Sequence, residues 1–393
     1  MLPLDSSEPF DRARDAEFFA ELPSRPGVVR IEMRETGRPY LARTADIRRA
    51  AQRLLGVPEE NSKRLNLREQ AAQVSYRATG SKFEQTLTLY EQARELLPDR
   101  YRQLLRLRPP AVLKINLRNA YPRSHVTRRI RADEGFYFGP FASRRSAEAF
   151  SEGFLDLFKI RRCQIKIRRD PSFPGCIYSE MKMCLAPCFA GCTKEEYDAE
   201  VALVVETLDT AGGALTAKFE REREAASEAL DFERAAALHK RLEKVAAALR
   251  GLPELARRID ELDAVILQRG NKEKSIAMFP LAGGVLAEPI FLNFTELSSQ
   301  PRSVEAILRQ ALQAAQAHES RESVETDLRG RYGLQAAPAE LSEHLALVAR
   351  WFYSKPRDGE ILFREGDWPY RRILRACNRL LAPAASSPEP PSS

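Results

Sequence analysis

Histidine and tryptophan are scarce in this sequence, with four His and two Trp among 393 residues. The histidines are His125, His239, His318 and His344, and none stands in an H-x-E or H-E-x-x-H arrangement, so a histidine-based metal nuclease has no footing here. Long apolar runs are missing as well. No stretch approaches the ~18 apolar residues that a membrane span requires, and the opening MLPLDSSEPFDRARDAEFF lacks the basic-then-apolar pattern of a signal peptide. A cytoplasmic protein without a membrane partner is expected. No internal repeat is visible.

What is present begins with charge. The stretch from Arg100 to Arg169 holds 18 Lys or Arg against five Asp or Glu, a local excess larger than the +7 of the whole chain. Such an excess is the footprint of a surface that neutralises phosphates, or of a solvated basic face. Cysteine is the second signal. Five of the six cysteines, Cys163, Cys176, Cys184, Cys188 and Cys192, fall within thirty residues, and Cys377 stands alone. Without an export signal, this clustering reads as metal binding rather than as disulfides. Four thiolates in one loop suit tetrahedral zinc or an iron–sulfur cluster. Pro187 and Gly191 break the local chain, giving the irregular backbone that a loop around such a group needs.

The length and a hydrophobic fraction of 44% predict a multidomain α/β protein of several packed units. Residues 1–110 read as a small α/β unit. GVVRIEM and PYLAR form a hairpin turning near Glu35–Gly37, and helices span 45–55, capped by Thr44 or Asp46, and 82–97. Residues 111–205 are the basic, Cys-rich region. They open with the strand AVLKINL, pass through the turn-rich FYFGPFAS, and continue into a helix over 146–158. Residues 206–250 are a helical hairpin, 214–230 and 232–249, with Asp231 as cap of the second helix. Residues 251–380 combine the strand-like DAVILQ, KSIAMFP and VLAEPIFLNF with helices over 303–318 and 339–353. The Pro/Ser-rich residues 381–393 are expected to be a disordered tail.

Several motifs together resemble the UvrC family, the nuclease subunit of the bacterial excision-repair complex. VLKINLRNAYPRSHVTRRI, YFGPF, FKIRRC, GCIYSEMKMCLAPC and TKEEYDAEV follow in that family's order and spacing. The resemblance implies that Cys163, Cys176, Cys184 and Cys188 hold a [4Fe-4S] cluster, zinc being the alternative, with Cys192 spare. KFEREREAASEALDFERAAALHKRLEKV looks like the UVR motif through which UvrC pairs with UvrB, with Leu230 and Phe232 offering an apolar tip. Damaged double-stranded DNA would be the other partner, contacted by Arg128, Arg129, Arg144, Arg145, Arg161, Arg162, Arg168 and Arg169. DAVILQRGNKEKSIAMFPLAGGVLAEP resembles the segment that follows the hairpin, and beyond about residue 300 the resemblance fades.

The nuclease pattern is broken. LPSRPGVV and RPYLART align with the start of a GIY-YIG nuclease, in which tyrosines, an arginine and a metal-holding glutamate perform the chemistry. Here the first tyrosine is Val29, the glycine of the second motif is Ala42, and the arginine position is Ala50, with Arg48, Arg49 and Arg53 nearby. Tyr40 remains. The glutamate position is Leu89, and Glu91 is the nearest carboxylate. The family's second nuclease, RNase H-like and followed by a helix–hairpin–helix unit, finds no match. These readings imply a UvrC-like excision-repair protein that binds DNA and UvrB with lost or weakened cutting. Two alternatives are a working single-site, Mg²⁺-dependent endonuclease using Tyr40 and Glu91, and an iron–sulfur redox sensor on DNA.

Overall fold

The computed structural model describes residues 2–35, 37–59, 63–133, 135–297, 303–317 and 337–382. Its first unit comprises β1 (Ser6–Pro9), α1 (Asp15–Glu21), β2 (Gly27–Met33), β3 (Tyr40–Thr44), α2 (Ile47–Leu55), β4 (Ala71–Ala78), α3 (Lys82–Leu96) and α4 (Tyr101–Leu104). The strands form an antiparallel sheet in the order β1-β4-β2-β3. Strand alternation divides β2 between two cores. Val29 and Ile31 pack with Phe10, Phe18, Ile47 and Leu54 on one side, and Val28 joins Leu41, Phe83 and Leu87 on the other. Gly27 is required by close approach, because a Cβ there would lie 2.2 Å from the Arg77 carbonyl oxygen. Asp46 is the cap of α2 and accepts the Arg49 N–H at 2.9 Å. Thr36, at the tip of the expected hairpin turn, lies outside the described residues. β4 had no sequence expectation: its buried face carries Ser75 and Arg77, which interrupt the apolar alternation.

The second unit holds β5 (Ala111–Asn116), β6 (Ser124–Thr127), β7 (Gly135–Phe141), α5 (Arg144–Leu155), α6 (Ile177–Glu180) and α7 (Lys194–Asp209). The expectation that FYFGPFAS is turn-rich is corrected here. All seven residues of β7 are buried, and the strand pairs along β5 in mid-sheet. Its Gly and Pro are turn formers locally, but Phe136, Phe138 and Phe141 bury against Phe150 and Phe154 of α5, and that burial outweighs local preference. Helix α5 begins two residues before its expected start, because Ser143 and Ser146 form a reciprocal capping box. Helices α8 (Gly213–Glu228) and α9 (Phe232–Leu249) form an antiparallel hairpin. Asp231 caps α9 by accepting the Arg234 N–H at 3.0 Å, and Leu230 makes the turn at φ 57°.

The remaining elements are β8 (Arg257–Arg258), β9 (Ala264–Arg269), β10 (Ser275–Ala282), β11 (Val285–Leu286), β12 (Ile290–Asn293), α10 (Phe294–Leu297), α11 (Val304–Ala317), α12 (Pro338–Phe352), β13 (Glu360–Phe363) and α13 (Tyr370–Leu381). A sheet in the order β11-β10-β9-β13, with β12 also on β10, carries α12 on one face and α11 with α13 on the other. This region is not self-contained. β8 extends the sheet of the second unit, completing the order β6-β5-β7-β8. Helix α12 packs on α3, so that Phe83, Leu87 and Tyr90 share one core with Phe279, Leu345 and Trp351. The tail expected from residue 381 falls almost wholly on 383–393, outside the described residues. Among the described residues no helix is long and apolar enough to cross a membrane.

Candidate metal centre and nucleic-acid interface

The cysteine loop is held by a buried post. Tyr197 of α7 is fully buried; its hydroxyl donates to the Pro122 carbonyl at 2.7 Å and accepts the Arg161 N–H at 2.9 Å. The Arg161 guanidinium then donates to the carbonyls of Tyr121 at 2.8 Å, Ile165 at 2.9 Å and Cys163 at 3.3 Å. Beyond Cys176, which opens the one-turn helix α6, Lys182, Ala186 and Ala190 all adopt the left-handed conformation. Three such non-glycine residues in so short a stretch cost of order 1–3 kcal/mol each, and surrounding contacts must sustain them. They turn the chain back so that the Gly191 N–H reaches the Ala186 carbonyl at 3.0 Å and the Asp170 N–H reaches that of Cys188 at 2.9 Å.

This winding brings the four predicted thiols into one neighbourhood. Burial first, and then negative charge on Cys163, Cys176 or Cys188, push the Cys184 thiol up to about 11, against the Ala186 N–H that its sulfur accepts at 3.3 Å. The Cys188 thiol is likewise raised by burial first, and then by Cys176 and Cys163. Cys192 lies in the apolar cluster of Tyr197 and Val201, where burial raises it first and the charges of Glu196 and Cys188 add to the rise. All six cysteines are free thiols. Among the described residues no three His, Cys, Asp or Glu side chains are drawn into a finished metal-coordinating group. The donor chemistry nevertheless fits a soft metal. Thiolates that repel one another in a half-buried loop are the groups a cation stabilises.

The eight predicted DNA-contacting arginines divide by what already holds them. Arg128, Arg129, Arg145 and Arg168 are exposed, and their guanidinium groups take no hydrogen bond or ion pair among the described residues. Arg144 pairs with Glu148 on its own helix at 2.7 Å. Arg169 donates to the Cys192 carbonyl at 2.9 Å. Two others are engaged by the fold itself. Arg161 is only 8% exposed and is used up by loop carbonyls, and the mostly buried Arg162 side chain pairs with Asp156 at 2.8 Å. Both position the loop and neither faces solvent as a phosphate contact would.

The nuclease remnants do not meet. Tyr40 is half-buried on the Val29 side of the first sheet. Glu91 sits on α3, which packs against the opposite face, and its carboxylate accepts the Leu2 N–H; burial raises its pKa. The other nuclease-aligned positions are core: Val29 is 1% exposed, Leu89 5% and Ala50 8%. Arg48, a nearby arginine, is taken by the carbonyls of Leu22 at 2.7 Å and Ala20 at 3.0 Å. At the hairpin tip the expected apolar pair stands free, with Leu230 72% and Phe232 67% exposed. Sequence reasoning missed Tyr121 and Tyr197, which carry no motif of their own. It also missed Arg43 and Arg350, which join the basic residues only through folding.

A multidomain α/β protein with a thiol-lined loop, a basic face and an exposed hairpin tip is the class defined by this geometry. Residues 111–207 match the family model described as "UvrC/Cho excinuclease, middle domain". The chain is 29% identical over 264 residues to UvrABC system protein C of Idiomarina loihiensis, covering 66% of this chain and 42% of that protein. It is 29% identical over 199 residues to the protein of that name from Desulfatibacillum aliphaticivorans (50% and 33% covered). It is 37% identical over 148 residues to that from Nitratidesulfovibrio vulgaris (36% and 21% covered). The chain is thus similar to UvrC proteins, with the family model matched over its middle region, residues 111–207. It spans between about a fifth and two fifths of the length of these relatives. No solved structure matches it.

Proposed function

We propose that the chain is a UvrC-like component of nucleotide excision repair that binds damaged DNA and UvrB and does not cut through its N-terminal unit. One observation carries this reading. The positions that align with nuclease chemistry, Val29, Ala50 and Leu89, are spent on hydrophobic cores, while the hairpin tip and the exposed arginines remain free for partners. Without a charge-stabilising donor at the reacting phosphate, rates fall by roughly 10²–10³, and several losses compound. On this reading residues 1–110 are a degenerate GIY-YIG unit and 206–250 a UVR-type hairpin. Cys163, Cys176, Cys184 and Cys188 would hold a [4Fe-4S] cluster, with zinc as the alternative, which would pin the loop as a structural group.

The test is incubation of a lesion-bearing duplex with anaerobically purified protein, UvrA, UvrB, ATP and Mg²⁺. The expected result is a shifted UvrB–DNA complex with no new nick. Nicking that disappears with Glu91→Ala would overturn the non-cutting role. Absence of any UvrB or DNA binding would overturn the repair role itself.

A further inference from the structure

A second basic site lies where the three units meet. A cleft of about 620 Å³ opens between the N-terminal sheet, the connector after α4, the second unit and α12. Five arginines line it: Arg43 from β3, Arg106 and Arg108 from the connector, Arg128 from beyond β6, and Arg350 from α12. No Asp or Glu is among the described lining residues. Two of the five are fixed in place without being neutralised. Arg350 donates to the carbonyls of Leu105 at 2.9 Å and Arg106 at 2.8 Å, and Arg43 donates to the Thr86 hydroxyl at 2.8 Å. Burial, and then the charge of Arg43, press the Arg350 pKa down, as expected where like charges converge without a counter-ion. The guanidinium groups of Arg106, Arg108 and Arg128 have no hydrogen-bond or ion-pair partner among the described residues.

The cleft continues into a second cavity of about 440 Å³ that shares Arg128 and adds Arg102, Arg129 and Arg131. The one carboxylate among its described lining residues, Glu343, is already engaged by Tyr90 at 2.8 Å, Tyr101 at 2.8 Å and Arg102 at 2.7 Å. At its other side the first cavity is lined by Ala142 and Ser143, which lead directly into Arg144 and Arg145. The basic path is therefore longer than one phosphate and runs across all three units. A concave surface of one sign focuses its field on anions, and guanidinium forks match phosphate oxygens.

We propose that this cleft seats successive phosphates of a nucleic-acid strand, so that a bound strand touches the N-terminal unit, the second unit and α12 at once. The inference rests on the DNA-binding reading above and places the strand's path within it. Full-length protein carrying Arg106→Gln and Arg108→Gln should bind a labelled oligonucleotide at least ~10-fold more weakly at moderate salt. Its log-affinity against log-salt slope should also be shallower by about two, one for each lost phosphate contact. Thermal melting should not change, since neither side chain holds a partner; Arg108→Gln alone, with half the slope change, serves if the double variant does not fold. A parallel variant, Arg168→Gln, tests the face outside the cleft and its continuation. Wild-type affinity and slope in the cleft variant, with loss only in the parallel one, would sink the cleft while leaving DNA binding intact. No DNA binding by the wild type would overturn both. Inorganic tripolyphosphate displacing the strand as effectively as competing DNA of equal phosphate content would show that the site takes free oligophosphate instead.

Discussion

At the scale of single residues, arginines a few positions apart do opposite work. Arg161 satisfies three carbonyls inside the cysteine loop, whereas Arg168 reaches into solvent. Replacing a buried donor leaves its acceptors unpaired at about 1–3 kcal/mol. Arg161→Gln should therefore lower the melting temperature and the bound metal per chain, with a smaller effect on DNA affinity. Arg168→Gln should do the reverse, which calorimetry, metal analysis and anisotropy together would check. Among the cysteines, Cys184→Ser should abolish metal uptake and Cys192→Ser should spare it, because only Cys184 senses the other three predicted ligands. Equal metal content in both variants would reject the ligand set.

At the scale of elements, the hairpin and α12 make contrasting predictions. Leu230 and Phe232 are exposed at the hairpin turn, so replacing both with Ala should leave stability within about 0.5 kcal/mol. Apolar anchors at an interface commonly contribute more than ~1 kcal/mol each. The same double variant should thus weaken UvrB binding by at least tenfold in titration calorimetry. Helix α12 instead ties the first unit to the last through two adjacent titratable residues. Buried His344 accepts the Leu286 N–H at 3.1 Å, and burial lowers its pKa to about 4. Burial would raise the Glu343 carboxyl, but donors from Tyr101, Tyr90 and Arg102 outweigh it and hold the pKa low.

At the scale of the whole molecule these two shifts have the same sign. For His344 the unfolded chain binds the proton more readily between its ordinary value near 6.5 and about 4, so stability falls as pH drops through that window. The loss amounts to roughly 3 kcal/mol, at about 1.4 kcal/mol per unit. Glu343 contributes stability above its ordinary value near 4.5, and loses it as pH falls through its lowered folded value. Urea unfolding at pH 7 and pH 4.5 should show this decline, and His344→Gln should flatten most of it. An unchanged slope in that variant would place the acid sensitivity elsewhere. Because α3 and α12 share one core, the first and last units should also lose structure in a single transition.

Periodicity and caps made much of the local structure legible. GVVRIEM and AVLKINL read as strands, Asp231 as a cap, and the hairpin helices fell within two residues of their observed ends. These features depend on neighbours in the chain, and neighbours are what a sequence displays. The cysteine spacing likewise announced a thiol loop without its supports, since the Tyr197 hydroxyl and the Arg161 guanidinium act across gaps that no motif spans. Burial of aromatics decided β7 against its own glycines and proline, and buried polar groups concealed β4. Tertiary structure alone decided which arginines are consumed by carbonyls and which stay free. It alone placed Tyr40 and Glu91 on opposite sides of a sheet, and gathered Arg43, Arg108 and Arg350 around one cleft. The physical reason is the same throughout: charge and burial act through space, and distance along the chain does not fix distance in space.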